Sequence, residues 1–281
     1  MSHINDSLGD RMKNYENITR NYLTSKLPVI IRIDGKAFHS FTHGFKKPFD
    51  DILVKSMQDT MKYLCENIQG CVLGYTQSDE ITLVLVDYQN RDSCAWFDNN
   101  IQKMVSVSAS MATIAFNKAF TNAFNEWGTN NLPDWDIGGT NGPVDKILLK
   151  LCQIYATAQE KGAMFDSRVF TIPKEEVVNC LIWRQQDATR NSIQSVGQAN
   201  FSHKQLQNKN CNDIQDMLMI EKGINWNDYP TTLKRGSCCI KVPHRFNEGT
   251  EQETIRNKWT IDNDIPIFTQ NKDYINKLVF I

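Results

Sequence analysis

The stretch that most restricts this chain is Val29-Ile30-Ile31-Arg32-Ile33-Asp34-Gly35-Lys36, answered later by Gly74-Tyr75-Thr76-Gln77-Ser78-Asp79-Glu80. Each is a strand-like run that meets a carboxylate. Val29, Ile30, Ile31 and Ile33 are β-branched and favour a pleated, buried backbone. The run stops at Asp34-Gly35, a turn pair. Ser78, Asp79 and Glu80 form a polar turn that leads into Ile81-Thr82-Leu83-Val84-Leu85-Val86, a second buried strand.

Two strand edges that each present an Asp suit a divalent metal. Mg²⁺ takes hard oxygen ligands, often one or two carboxylates plus substrate phosphates. A glycine after Asp34 lets a carbonyl or a phosphate approach closely, because no Cβ stands in the way. From the residues alone an alternative stays open. Asp34-Gly35 also fits an ordinary turn, and Asp79-Glu80 a solvated hairpin tip.

A chain of 281 residues can bury a sizeable core and holds one or two domains. Its 41% hydrophobic and 22% charged residues are ordinary globular values. No apolar run approaches the roughly 18 residues of a membrane span. Met1-Ser2-His3-Ile4-Asn5-Asp6 lacks the basic and apolar regions of a signal peptide, so a cytoplasmic protein is expected. The eight Cys include no CxxC pair and read as reduced thiols, while the five His show no zinc spacing. Net charge is −1, which argues weakly against a nucleic-acid partner. The distribution is uneven, however. Leu181 to Arg245 holds nine Lys and Arg against five acids, enough for a local basic face.

In chain order, residues 6–26 read as a helix and 28–34 as the first strand. A Gly- and Pro-containing loop follows, and Asp50 is placed to cap a helix over 52–68. Strands at 71–75 and 80–87 flank the Ser78-Asp79 turn, then a long helix runs from Ser93 to Trp127. Residues 128–144 look like an inserted surface loop. Ala163 to Phe170 reads as a fourth strand, and Pro173 ends it before a helix starting at Lys174. Counted from the first strand, the order is βαββαβ, an α+β, ferredoxin-like sheet. That fold makes the first strand and the second-third hairpin neighbours, which brings Asp34 and Asp79 together. From 181 the chain is polar and helical, with Arg, Gln, Asn and Thr suited to phosphate and sugar contacts. Residues 232–242 look like a β-ribbon, and the last ~35 residues carry too weak a pattern to assign. The expected division is a palm-like catalytic domain over 1–180 and a helical and β-ribbon extension over 181–281 that packs on it and binds tRNA.

A ferredoxin-like sheet with carboxylates at these two places is the palm arrangement of nucleotidyl-transferring polymerases and nucleotide cyclases. Several motifs, in order, narrow the choice. They are Arg32-Ile33-Asp34-Gly35-Lys36-Ala37-Phe38-His39, Lys47-Pro48, Gly74-Tyr75-Thr76-Gln77-Ser78-Asp79-Glu80, Trp183-Arg184-Gln185-Gln186-Asp187 and Lys209-Asn210. Together they resemble the tRNA-His guanylyltransferase family from about residue 10 to 245, leaving out the 128–144 loop and the C-terminal tail.

The resemblance implies addition of nucleotides to the 5′ end of tRNA in the 3′→5′ direction. It implies ATP and GTP or other NTPs as substrates and two Mg²⁺ ions held by Asp34, Asp79 and the Gly35 carbonyl. It also implies a nucleotide cradle at residues 34–39 (Asp34, Gly35, Lys36, Ala37, Phe38 and His39), with Ser78 beside the metal site. Lys47 and Lys209 would lie on the triphosphate, and Arg32 near the phosphates. Arg184, Gln185, Asp187, Arg190 and Asn191 would face tRNA. The family assembles as a tetramer, so a homotetramer is expected.

The departures from the family pattern are informative. The guanylyltransferases proper carry His-Ile-Asn-Asn after the Trp-Arg-Gln-x-Asp motif, where this chain has Thr189-Arg190-Asn191-Ser192. Lys-Pro-Asn-Asp is here Lys47-Pro48-Phe49-Asp50. Both resemble the bacterial and archaeal guanylyltransferase-like branch, which repairs 5′-truncated tRNA by copying the opposite acceptor strand. Template-dependent repair is therefore expected ahead of G addition to tRNA-His. A palm-fold nucleotide cyclase and a non-catalytic tRNA-binding module are the other readings. A cyclase needs no tRNA-facing helix, and a retired site has no reason to keep two crowded carboxylates.

Overall fold

The computed structural model describes residues 7–131, 146–246 and 254–280. In chain order the elements are α1 (Ser7–Ile18), β1 (Val29–Gly35), α2 (Phe38–Phe41), α3 (Asp51–Asn67), β2 (Cys71–Gln77), β3 (Glu80–Leu85) and α4 (Ile101–Asn131). Then come α5 (Lys146–Lys161), β4 (Phe165–Thr171), α6 (Lys174–Asn200), α7 (His203–Leu206), α8 (Cys211–Lys222) and α9 (Thr231–Arg235). β5 (Ser237–Phe246), β6 (Thr254–Asp262) and α10 (Asp273–Val279) complete the chain.

The strands form one antiparallel sheet in the order β4-β1-β3-β2-β5-β6. Both sides of its centre are covered, which is why β1 and β3 are near-continuous apolar runs rather than alternating ones. On one side Ile31 and Ile33 pack with Met57, Met61 and Leu64 of α3 and Phe116 and Phe120 of α4. On the other, Ile30, Tyr75 and Val84 pack with Val177 and Leu181 of α6 and Ile275 and Val279 of α10. Each such side chain, taken fully from water, contributes about 1.5–3 kcal/mol. The later half of α6 builds a third cluster, in which Ile193 and Val196 meet Ile214, Leu218 and Trp226.

The Asp50 cap forms as the sequence indicates, its carboxylate accepting from the Leu53 N–H at 3.0 Å. Other segments differ from the reading of the sequence. The first helix ends at Ile18, not 26, because the chain from Asn21 to Leu23 runs beside residues 99–101 and exchanges backbone hydrogen bonds with them. The long helix starts at Ile101, not Ser93, because Phe97, Asp98 and Asn99 take left-handed backbone angles. Asn100 then caps the new start through the Lys103 N–H. Of the expected 128–144 loop, residues 128–131 close α4 and 132–144 lie outside the described residues. The 180/181 division falls within α6. β5 and β6 extend the same sheet as β1.

Candidate functional site

Asp34 stands at the end of β1, flanked in register by Glu80 of β3 on one side and Asp166 of β4 on the other. Directly after β2, the two-residue Ser78-Asp79 turn closes the β2–β3 hairpin. The two turns are tied together, since the Gly35 N–H donates to the Asp79 carbonyl at 3.1 Å. Asp34 and Asp79, distant in sequence, thus sit at one junction. Ser78 holds a left-handed φ of 50°, and its hydroxyl donates to Asp79 Oδ1 at 3.0 Å. A non-glycine residue in that region stores on the order of 1 kcal/mol of strain, a cost that clusters at functional sites.

The electrostatics match the geometry. Burial lifts the Asp34 carboxyl above the usual carboxylate range, repulsion from Glu80 and Asp166 adds to it, and Arg168 and Arg32 oppose it. Burial also lifts Asp79, against the Ser78 hydroxyl, with repulsion from Asp34 and Glu80 adding. Among the described residues neither carboxylate is in an ion pair. Groups of three or more His, Cys, Asp or Glu at metal-holding spacing are also absent among them. A cation at the junction would therefore rest on two carboxylates, a backbone carbonyl and oxygens of a ligand.

Gly35 has a packing reason as well as a chemical one. A Cβ there would fall 2.2 Å from Cδ2 of Phe38. Phe38 cannot retreat, because its ring is buried against Phe41, Phe116 and Phe165 at centroid distances of 5.1 to 5.4 Å. Gly35→Ala is expected to destabilise the fold by about 1–3 kcal/mol and to displace the Gly35 carbonyl. Urea melts read the first effect, and nucleotide binding reads the second.

The expected cradle divides by exposure. Lys36, Ala37 and His39 are exposed, whereas the Phe38 side chain belongs to the core, so only its backbone can meet a ligand. Ala37 has a left-handed φ of 53°. Beyond it, a cavity of about 240 Å³ opens between the 42–54 segment, the β2–β3 turn, α6 and α9. Lys46, Lys47, Ser78, Asn191, Ser192 and Lys234 are among its lining residues. Lys47 and Ser78 thus line one cavity. Lys234 and Ser192 join the cavity from α9 and α6. Asp50 also faces the cavity, but its carboxylate is taken by the Lys46 and Leu53 N–H groups and by the Tyr155 hydroxyl at 2.6 Å. Lys209 stands apart from this group. It lines a second groove with His203, Gln194, Gln198 and Asn208, between α6, α7 and α8.

Helix α6 corrects the reading of its polar sequence. It buries a stripe that includes Val177, Leu181, Arg184, Gln185, Ala188 and Ser192. Gln185, expected to face tRNA, is buried. Its amide donates to the Pro266 carbonyl and its oxygen accepts from the Phe268 N–H, both at 2.9 Å. Arg184 is also buried. Its guanidinium binds Glu80 at 2.5 Å and Asp187 at 3.5 Å. Asp187 is shared with the exposed Arg190, and Asn191 reaches the cavity. Arg32 projects from the same face of β1 as Asp34, 5.7 Å from the ring of Trp183. The Glu80–Arg184 tie between the hairpin and α6 joins residues 104 apart and so leaves no local signal in the sequence.

Known proteins similar to this chain agree among themselves. The family model described as Thg1, tRNAHis guanylyltransferase, matches residues 9–173. A solved bacterial tRNA(His) guanylyltransferase (Thg1)-like protein in complex with ATP is similar over 97% of this chain and 98% of its own, with 42% identity and a TM-score of 0.76. A GTP complex of a bacterial Thg1-like protein gives 38% identity and a TM-score of 0.75 over 98% of this chain and 100% of that one. The tRNA(His) guanylyltransferase of Debaryomyces hansenii is 25% identical over 82% of this chain and 80% of its own length. With the Asp34–Asp79 junction at the place where the family motifs fall, the chain belongs to the tRNA-His guanylyltransferase (Thg1) family.

Proposed function

We propose that this chain is a template-dependent 3′→5′ nucleotidyltransferase that adds nucleotides to the 5′ end of truncated tRNA. The observation that carries the reading is the Gly35–Asp79 hydrogen bond, which holds two unpaired carboxylates at one junction. The repair branch is favoured by Thr189 at the family's histidine position. It is also favoured by 42% identity to a bacterial Thg1-like protein against 25% to the Debaryomyces guanylyltransferase. The sheet order β4-β1-β3-β2, with α3 and α4 on one side, supports a ferredoxin-like palm as its frame.

Hard carboxylate oxygens, repulsion that a cation would relieve and a glycine with no Cβ together make a donor set that fits Mg²⁺. Asp34, Asp79 and the Gly35 carbonyl would hold the ions. Bound there, two Mg²⁺ supply activation of a 3′-hydroxyl and neutralisation of triphosphate oxygens. The chain's own residues do the remaining work. Ser78 fixes the Asp79 carboxylate through its hydroxyl. Lys36 and Lys47 meet triphosphate charge, and Arg32 stands near the phosphates on the Asp34 face. The cavity beside Ser78 takes the ATP or GTP, and the segment after residue 180 forms the tRNA-binding extension. Lys209 meets phosphate in its own groove. A homotetramer completes the reading. Helix α1 buries none of its residues and leaves Leu8, Met12, Tyr15 and Ile18 exposed, a face for a second copy to cover.

The test is a tRNA lacking its first 5′ nucleotide and carrying a 5′-monophosphate, incubated with ATP, Mg²⁺ and all four NTPs. Growth only by the nucleotide that pairs with the acceptor strand is the expected result. Addition of G to full-length tRNA-His alone would move the chain to the other branch. Release of pyrophosphate together with a cyclic nucleotide from ATP or GTP when no tRNA is present would favour a cyclase instead.

A further inference from the structure

Trp183 is the large apolar side chain that α6 leaves exposed. Its neighbours Leu181, Arg184 and Gln185 are buried, yet the indole is 50% exposed. An exposed Trp on a well-packed helix forgoes a large hydrophobic gain, so its position calls for another account. The ring is held firmly. The guanidinium of Arg184 lies 3.6 Å from its centroid, and that of Arg32 5.7 Å. Arg184 is itself fixed, with 6% side-chain exposure and bonds to Glu80 and Asp187. The Nε atoms of both Arg32 and Arg184 are buried with no hydrogen-bond partner. Buried guanidinium donors are rarely left so, and they favour an anion beside them.

The location is equally specific. Arg32 is two residues before Asp34 on the same face of β1, and Glu80, the anchor of Arg184, follows Asp79. Trp183 therefore stands beside the carboxylate junction. Its surroundings are polar and cationic, with Arg190 and Gln186 exposed on the same helix and Arg168 opposite Arg32 in the sheet register. A self-association surface would want an apolar, charge-depleted centre. A rigid aromatic face among guanidinium groups fits nucleic acid.

We propose that Trp183 is a stacking platform for the nucleobase at the 5′ end of the tRNA being extended, with Arg32 and Arg184 as its positioning residues. The proposal rests on the 5′-end extension reading. Arg184 covers one side of the indole, and the terminal base takes the exposed side. Stacking accepts every base, because each has a π face. A platform of this kind suits an enzyme whose choice of nucleotide comes from a template strand.

The test places 2-aminopurine at the 5′-terminal position of the truncated tRNA and follows its emission on binding. Wild type is expected to quench it, Trp183→Phe to keep part of the quench, and Trp183→Leu to lose it. The KM for the truncated tRNA should rise roughly 5- to 150-fold in Trp183→Leu, with the KM for ATP unchanged. Thermal melts of both variants check folding, and Trp183→Phe carries the test should the leucine variant unfold. Undiminished quenching by Trp183→Leu with tRNA still bound would overturn the platform while leaving the extension reading intact. Loss of quench together with a change in sedimentation would overturn it too, in favour of a subunit contact. Absence of tRNA extension by wild type removes the reading beneath it, and the platform with it.

Discussion

Asp79→Asn is expected to abolish nucleotide addition, by roughly 10³-fold or more, while making the metal-free protein more resistant to heat at neutral pH. The first effect follows from losing half of the charge that would hold the ions. The second follows first from the burial of Asp79 and then from repulsion by Asp34 and Glu80, which lift its pKa above the ordinary 3.8 against the Ser78 hydroxyl. The sign follows from linkage. A carboxyl whose folded pKa is raised opposes folding once ionised. Stability is therefore lost as pH climbs from the unfolded pKa through the folded one, and the whole penalty is present at neutrality. Asparagine keeps the shape and removes the charge. Asp34, lifted first by burial and then by Glu80 and Asp166, should behave in the same way. Melting curves in a chelator, repeated with added Mg²⁺, make the comparison. Wild type should gain Tm with Mg²⁺ by mass action, and the variant should gain much less. A variant less stable than wild type in the chelator would contradict this account of the junction.

Arg184→Ala should be the most damaging single change outside the carboxylates. It breaks a buried ion pair and leaves Glu80 without its cation beside two other acids. Removal of one partner of such a pair costs about 3–5 kcal/mol. For a chain of this size that lowers Tm by roughly 6–20 °C. The double variant Glu80→Met with Arg184→Met should recover much of the loss, because the penalty lies in the orphaned charge rather than in the missing attraction. Urea melts of the two single variants and the double decide it. Purely additive losses would show that the two side chains act independently.

What the sequence made legible was local. The β-branched run before Asp34, the Ser78-Asp79 turn and the Asp50 cap each announce themselves within a few residues, and each is where the structure has it. The junction of the two aspartates followed from strand order, itself a sum of local patterns. Other features had no such signal. Polar α6 hides a buried stripe because Arg184 and Gln185 find their partners at Glu80, Pro266 and Phe268, far along the chain. β6 is exposed along most of its length and so carries no strand alternation. Helix α5 does carry a local signal, since Leu148, Leu151, Cys152 and Tyr155 follow a helical period. Within the site, Lys36, Lys47 and Ser78 were accessible to motif reasoning, whereas Lys234 and the packing demand of Phe38 on Gly35 needed coordinates.

The antiparallel register of β1 has a further consequence for tolerance to change. Strand pairing is quantised: it shifts by whole residues, and a shift of one turns every side chain to the opposite face. Asp34 opposite both Glu80 and Asp166 is thus an all-or-none arrangement, beyond the reach of small drifts in the surrounding loops. One residue inserted between Val29 and Ile33 would aim the carboxylate into the phenylalanine core and an isoleucine at the solvent. A residue added in a surrounding loop leaves this register in place, whereas the step count along the strand itself has no such slack.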